Sequence, residues 1–104
     1  MSLITPVEGA VEQTSGETLV WQTDVSGFTT TPASPTLVSV IKLSNGTAVT
    51  GTVMPSGSIS ALAAIVTLPP LTALTADEKY RIRYKFTDGS SNTFEAILDV
   101  HCSF

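Results

Sequence analysis

An uninterrupted alternation of basic and apolar residues runs through one stretch of the sequence, Lys79-Tyr80-Arg81-Ile82-Arg83-Tyr84-Lys85-Phe86. Successive side chains of a β-strand point to opposite faces of a sheet, so this pattern predicts a strand over Lys79–Thr87 with one buried and one solvated face. The aromatic and aliphatic side chains belong to the buried face. The four basic side chains belong to the solvated face.

The end of the chain repeats this alternation and predicts a partner strand over Thr93–Cys102. The turn signal Asp88-Gly89-Ser90-Ser91 lies between the two segments and predicts an antiparallel hairpin. The inward side chains of the partner strand are Phe94, Ala96, Leu98, Val100 and Cys102.

The outward face of the partner strand carries Glu95 and Asp99, opposite the basic residues. Two hairpin registers match the buried faces. One pairs Lys85 with Glu95 and Arg81 with Asp99, and the other pairs Arg83 with Glu95 and Lys79 with Asp99. Each register places two basic residues opposite carboxylates. This favours a solvated, charge-matched face over an anion-binding patch.

Five further strands are predicted upstream, because turn signals recur at the 8–12-residue spacing typical of sandwiches and barrels. In chain order they are Ile4–Val11, Thr18–Thr23, Thr36–Leu43, Thr47–Val53 and Ser58–Leu68. Asn45-Gly46 predicts a type I′ hairpin turn, since both residues tolerate positive φ. The last of the five segments is apolar on both faces, so it is either buried on both sides or an exposed hydrophobic strip. The chain is predicted to be one all-β domain over residues 1–104.

The segment from Leu71 to Tyr80 resembles the corner before the sixth strand of immunoglobulin-like domains. In those domains a leucine and a short polar turn precede a tyrosine whose hydroxyl bonds to upstream backbone. Leu74 and Tyr80 stand at those positions, and the resemblance implies a seven-stranded immunoglobulin-like Greek-key sandwich. The single cysteine, Cys102, excludes an internal disulfide, and Trp21 stands on the second strand and not the third. The similarity is therefore to the disulfide-free members.

The C-terminal pattern also resembles small stand-alone β-sandwich proteins encoded among phage and prophage structural genes. The residues that carry this resemblance are Tyr80, Ile82, Tyr84 and Phe86, then Asp88-Gly89, then Thr93-Phe94-Glu95. It implies a virion component of the head, connector or tail. Outside a virion the expected location is the cytoplasm, because the first residues carry neither a basic region nor a signal-peptide core.

The composition argues against a nucleic-acid partner and a membrane span, and it favours protein contacts. Only 13% of residues are charged, about half the usual fraction, and the formal net charge is −4. A nucleic-acid partner is not predicted, because neutralising phosphates requires an excess of Lys and Arg. The longest apolar stretch is interrupted by Pro69-Pro70, so no membrane span is predicted. A weakly charged surface suits a chain that packs against other protein chains.

No residue pattern predicts catalysis, a cofactor or a metal ion. The only histidine and the only cysteine, His101 and Cys102, are neighbours on a predicted strand. Their side chains should therefore point to opposite faces and cannot form a nucleophile–base pair. No Cys or His spacing fits zinc, and the carboxylates lack the register of a calcium loop.

Three residues are candidates for protein contacts, namely Phe28, Thr50 and Ala64. Phe28 lies in the long connection Asp24–Pro35 and could either anchor a partner or fold back as a lid over the core. Thr50 and Ala64 lie in predicted strands without charges. The leading hypothesis is a non-enzymatic assembly protein that forms a homo-oligomer or joins a virion. The alternative is an adhesion or carbohydrate-binding module of a bacterial surface protein, although Trp21 is expected in the core and not on a sugar-binding face.

Overall fold

The computed structural model describes residues 2–4, 11–89 and 92–104, and the strands of this part form two sheets with a single short helix. In chain order the elements are β1 (Ser2–Ile4), β2 (Val11–Glu12), β3 (Trp21–Asp24), β4 (Ala33–Lys42), α1 (Thr50–Val53), β5 (Ser60–Leu62), β6 (Ile65–Thr67), β7 (Lys79–Thr87) and β8 (Thr93–His101). The first sheet has the order β1-β3-β6-β5, and the second sheet has the order β2-β8-β7-β4.

Most neighbouring strands are antiparallel. The exceptions are β1, which runs parallel to β3, and β2, which runs parallel to β8. Side chains from both sheets bury one common core, to which β7 contributes Tyr80, Ile82, Tyr84 and Phe86. The predicted all-β architecture with two packed sheets is confirmed, but the described part of the chain has eight strands and not the predicted seven.

The β7–β8 hairpin has the strand faces and one of the two registers expected from the sequence. Every apolar residue of β7 is buried, while its basic residues are exposed or half-buried. Lys85 lies opposite Glu95, and Arg81 lies opposite Asp99, as in the first of the two registers. The turn residues Ser90 and Ser91 lie outside the described residues.

The predicted strand Thr47–Val53 is wrong. Residues 47–49 run along β4 with only an isolated bridge between Ile41 and Ala48, and the chain then enters the one-turn helix α1. Val53 and the next residue, Met54, are both buried. Adjacent residues of a strand point to opposite faces, so a helical turn is what allows both side chains to enter the core. The Asn45-Gly46 turn is present, but only Gly46 has positive φ, so it is not the predicted type I′ turn.

The predicted strand Ser58–Leu68 is two strands. β5 and β6 form an antiparallel hairpin joined by Ala63 and Ala64, with Leu62 opposite Ile65. Ala63 has φ 52°, in the left-handed region that alanine seldom adopts. The fold imposes this turn, because Val66 and Leu68 of the returning segment are buried in the core.

The remaining boundaries differ by a few residues. The predicted strand Ile4–Val11 corresponds to the end of β1 and the start of β2, which belong to different sheets, and residues 5–10 lie outside the described part. The strand predicted over Thr18–Thr23 is β3. The strand predicted over Thr36–Leu43 is β4, which begins earlier and contains two irregularities, one of them around Pro35. The connection after β3 is correspondingly shorter than Asp24–Pro35.

Candidate interaction surface

The corner before β7 is closed by Tyr80. Its side chain is buried, and its hydroxyl accepts a hydrogen bond from the backbone N–H of Thr75 at 2.7 Å. Leu74 is buried beside this turn in the same core cluster. The residues of the predicted corner therefore lie in the core, where they hold the start of β7 and do not form a surface.

A buried glutamine links the two sheets, and no pattern in the sequence indicates it directly. Gln13 follows β2, and its side-chain amide lies in the core. Its Oε1 accepts from Nε1 of Trp21 at 2.9 Å, and its Nε2 donates to the carbonyl of Leu71 at 2.7 Å. A buried indole N–H needs an acceptor, so burial of Trp21 does predict that some polar partner exists.

A second buried bridge joins β7 to the first sheet. The Tyr84 hydroxyl donates to Oγ1 of Thr23 at 2.8 Å, and Thr23 donates to the carbonyl of Val66 at 3.3 Å. Burial raises the pKa of Tyr84, because its charged form is poorly solvated there. Both bridges satisfy polar groups in the core and fix how the sheets face each other.

The basic face of β7 is matched by carboxylates of β8. Arg81 makes two hydrogen bonds to the carboxylate of Asp99, at 2.9 and 3.1 Å. Arg83 donates hydrogen bonds to Glu95, which is its diagonal neighbour. The residue directly opposite Glu95 is Lys85. The ion pair with Asp99 also raises the pKa of Arg81. This face is therefore internally neutralised at both arginines.

Phe28 folds back against the sandwich. Its ring packs on Phe86 and Phe94, with ring centroids 5.9 and 5.8 Å away. The side chain still exposes 41% of its surface. Of the two predicted roles, the contacts favour a lid over this end of the core.

Thr50 protects an edge of the second sheet. Its Oγ1 accepts a hydrogen bond from the backbone N–H of Val40, and the N–H of Val49 donates to the carbonyl of Val40. Two residues further along β4, the N–H of Lys42 donates to the carbonyl of Thr47. Residues 47–50 thus occupy the outer edge of β4 near its end. Thr50 is half-buried and has a structural role in this edge.

Ala64 lies in the turn between β5 and β6. It is half-buried, and its carbonyl accepts the backbone N–H of Val25. The exposed part of this hairpin is β5, which ends the first sheet. Leu62 of β5 exposes 83% of its surface. We call residues 59–63, which include β5, the β5 edge.

The β5 edge is uncharged within a longer uncharged segment. No charged residue occurs from Ser58 to Leu68. Charged side chains on an edge strand normally prevent pairing with a second sheet. In the described part of the chain no strand pairs with the outer side of β5. The β5 edge therefore combines an open sheet margin with an exposed leucine and without charge repulsion.

His101 and Cys102 are separated as predicted. Cys102 is buried, and burial raises the pKa of its thiol. His101 is half-exposed, and its Nδ1 lies 3.9 Å from the carboxylate of Glu12.

A shallow surface groove of about 260 Å³ is lined by Leu43, Ser44, Asp77, Glu78 and Lys79. Within it, the Ser44 hydroxyl donates to Glu78.

Comparison with known proteins gives no match to a family model, to a curated protein or to a solved structure. Among the described residues, no helix has the length and apolar character needed to cross a membrane. No group of three metal-ligating side chains is found in the same part of the chain.

Proposed function

We propose that this chain is a non-enzymatic structural protein that works by assembly, as a component of a phage or prophage virion. The observation that carries the assembly role is the β5 edge, an open and uncharged sheet margin whose Leu62 is 83% exposed. The virion setting rests on the resemblance of the C-terminal hairpin to phage structural proteins. Protein partners are expected through this edge, without nucleic acid, membrane or cofactor.

An immunoglobulin-like sandwich is the fold proposed for this role. The first sheet matches the strand order A-B-E-D, and β4, β7 and β8 match C-F-G. The hydrogen bond of Tyr80 near the start of β7 supports the same assignment. The parallel pairings of β1 with β3 and of β2 with β8 depart from this family, whose sheets are antiparallel.

The proposed function can be tested on purified particles. Wild-type chain and a Leu62→Lys variant, carrying distinguishable tags, are co-expressed in the source cells, and density-banded particles are analysed by quantitative mass spectrometry. We expect wild-type chain in the particles and several-fold depletion of the variant. An Ile97→Lys variant, which places the same charge on an exposed apolar residue of β8, a strand paired on both sides, is the matched control and should be incorporated like wild type.

Absence of the wild-type chain from the particles would refute the virion setting. Equal incorporation of both variants would show that the β5 edge is not the contact. The order of neighbouring genes gives an independent check, since terminase, portal or tail genes are expected next to the coding sequence.

A further inference from the structure

We infer that the partner of the β5 edge is a second copy of this chain, joined by antiparallel β5–β5 pairing about a two-fold axis at Ala61. This inference rests on the proposed assembly role and specifies the partner and its register. The pairing extends the first sheet through two molecules. Its support comes from backbone direction, from the position of Leu62 and from charge.

The backbone of Ala61 faces the open side of the sheet. Leu68 N–H donates to the carbonyl of Trp21, and Val25 N–H donates to the carbonyl of Ala64, so the even-numbered residues of this segment point towards β3. By alternation, Ile65 and Thr67 point towards β5 and bind their partners Leu62 and Ser60. Ala61 and Ile59 therefore direct their N–H and C=O groups away from β6, where only another strand can satisfy several of them at once.

The sequence of β5 is self-complementary in this register. With Ala61 opposite Ala61 of the second copy, two backbone hydrogen bonds form between these residues. Leu62 then lies opposite Ser60 of the second copy on the outer face of the sheet. The two copies of Leu62 become diagonal neighbours about 7–8 Å apart, a separation that leucine side chains can bridge. The most exposed of the large apolar side chains in the described part is thus covered by its own symmetry mate.

Charge also favours a second copy at this position. The chain has a net charge of −4, so two copies repel each other over much of their surface. The uncharged segment 58–68 is where close approach brings no like charges together. An isologous contact closes after two copies and leaves no unpaired β5 edge.

The first experiment measures association by sedimentation velocity over a concentration series reaching the millimolar range. We expect wild-type chain and Ile97→Lys to shift towards dimer, and Leu62→Lys to remain monomeric. Ala61→Pro should also remain monomeric, because it removes an outward N–H that the β5–β6 ladder does not use. Circular dichroism establishes that each variant is folded.

The second experiment tests the register and does not depend on proline being tolerated. Single variants Ser60→Cys and Leu62→Cys are oxidised separately and as a mixture. These residues form a non-hydrogen-bonded pair across the axis, with Cα atoms about 4.5 Å apart, whereas identical residues lie beyond disulfide reach. We expect the mixture to yield several-fold more disulfide-linked dimer than either variant alone.

The outcomes separate this inference from the proposed function. A wild-type chain that stays monomeric throughout overturns self-pairing, and so does a mixture that yields no excess of cross-linked dimer. In both cases incorporation into particles still decides the assembly role through its own measurement. Loss of dimer in Leu62→Lys together with an unchanged dimer in Ala61→Pro overturns strand pairing while retaining a contact at this surface.

Discussion

The hairpins β7–β8 and β5–β6 are both antiparallel, yet they are stabilised in different ways. β7 and β8 have nine residues each, bury one full face and pair their outward charges. β5 and β6 have three residues each, carry no charge and turn through Ala63 in a left-handed conformation. The first hairpin has its faces specified by the alternation of its own residues, which restricts the register to two. The second depends on the core beneath it and leaves one strand open to a partner.

This difference separates structural from interacting surfaces. Alternation with matched charges gives a hairpin whose outward face needs nothing more, because its arginines already have carboxylate partners. An uncharged short hairpin has no such internal match. The predictions below test whether stability resides in the long hairpin while the short one is available for contact.

The largest expected effect is on the buried face of β7. Phe86→Ala should lower the free energy of unfolding by about 3–5 kcal/mol, because it removes a buried ring that packs on Phe28, Tyr84 and Phe94. Leu62→Ala in β5 should change it by no more than about 0.5 kcal/mol. Urea denaturation of both variants measures the contrast, and equal losses would refute the division of roles between the hairpins.

The tyrosine at the start of β7 should have the next largest effect. Tyr80→Phe is expected to destabilise the fold by about 1–3 kcal/mol, because the N–H of Thr75 loses its acceptor. Thr75→Ala keeps that N–H and serves as the control, with little change expected. An unchanged denaturation midpoint in Tyr80→Phe would show that this hydrogen bond does not stabilise the corner.

The turn of the short hairpin should respond with a gain in stability. Ala63→Gly is expected to stabilise the protein by up to about 1 kcal/mol, since φ of 52° costs alanine about 1–2 kcal/mol and glycine offsets part of this gain through entropy. Ala64→Gly is the matched control and should destabilise, because Ala64 is not among the residues with positive φ. Loss of stability in Ala63→Gly would contradict the turn geometry.

The charged face of the long hairpin should contribute less. Glu95→Gln is expected to cost about 0.2–1 kcal/mol at low ionic strength, and salt at about 1 M should abolish the difference. Lys85 lies directly opposite Glu95 but makes no ion pair with any described residue. Lys85→Gln is therefore the control and should leave the stability nearly unchanged. A salt-independent loss in Glu95→Gln would show that packing, and not charge, is responsible.

The effect of Tyr84 ionisation is absent at neutral pH and appears only in alkaline solution. Burial raises the pKa of Tyr84 in the folded state, so the folded chain holds this proton more tightly than the unfolded chain does. Stability should therefore be unaffected below the unfolded pKa of about 10 and should fall as the pH rises above it. Denaturation midpoints across this range should fall less steeply in Tyr84→Phe than in wild type. Parallel pH profiles would contradict the assignment.

The features that were predictable from the sequence are those with a local period. The faces of β7 and β8 follow from strict alternation, which left two registers open, and burial of Trp21 follows from its hydrophobic surface. The structure has the register in which Arg81 lies opposite Asp99. The predicted hydrogen bond between the Tyr80 hydroxyl and upstream backbone is present as well, with the N–H of Thr75 as the donor. For Phe28 the sequence left two roles open, an anchor for a partner or a lid over the core, and only its contacts with other aromatic rings favour one of them.

The features that could not be predicted depend on distant partners. The segment 47–53 has the composition of a strand, but its helical turn forms where Val53 and Met54 both enter the core and Thr50 accepts from Val40. Gln13 is buried because Trp21 and Leu71 meet around its amide, and neither is adjacent in sequence.

Periodicity and composition are local properties of the chain, and they are sufficient to predict the sheet class, the long hairpin and the low charge of the middle region. Only the assembled sheets show that Ser58–Leu68 folds back at Ala63 and that, among the described residues, no strand covers the outer side of β5, whereas Thr50 covers part of the β4 edge. An edge is defined by which strands are absent beside it. That is a property of the assembled sheets, so no single segment of the sequence can encode it.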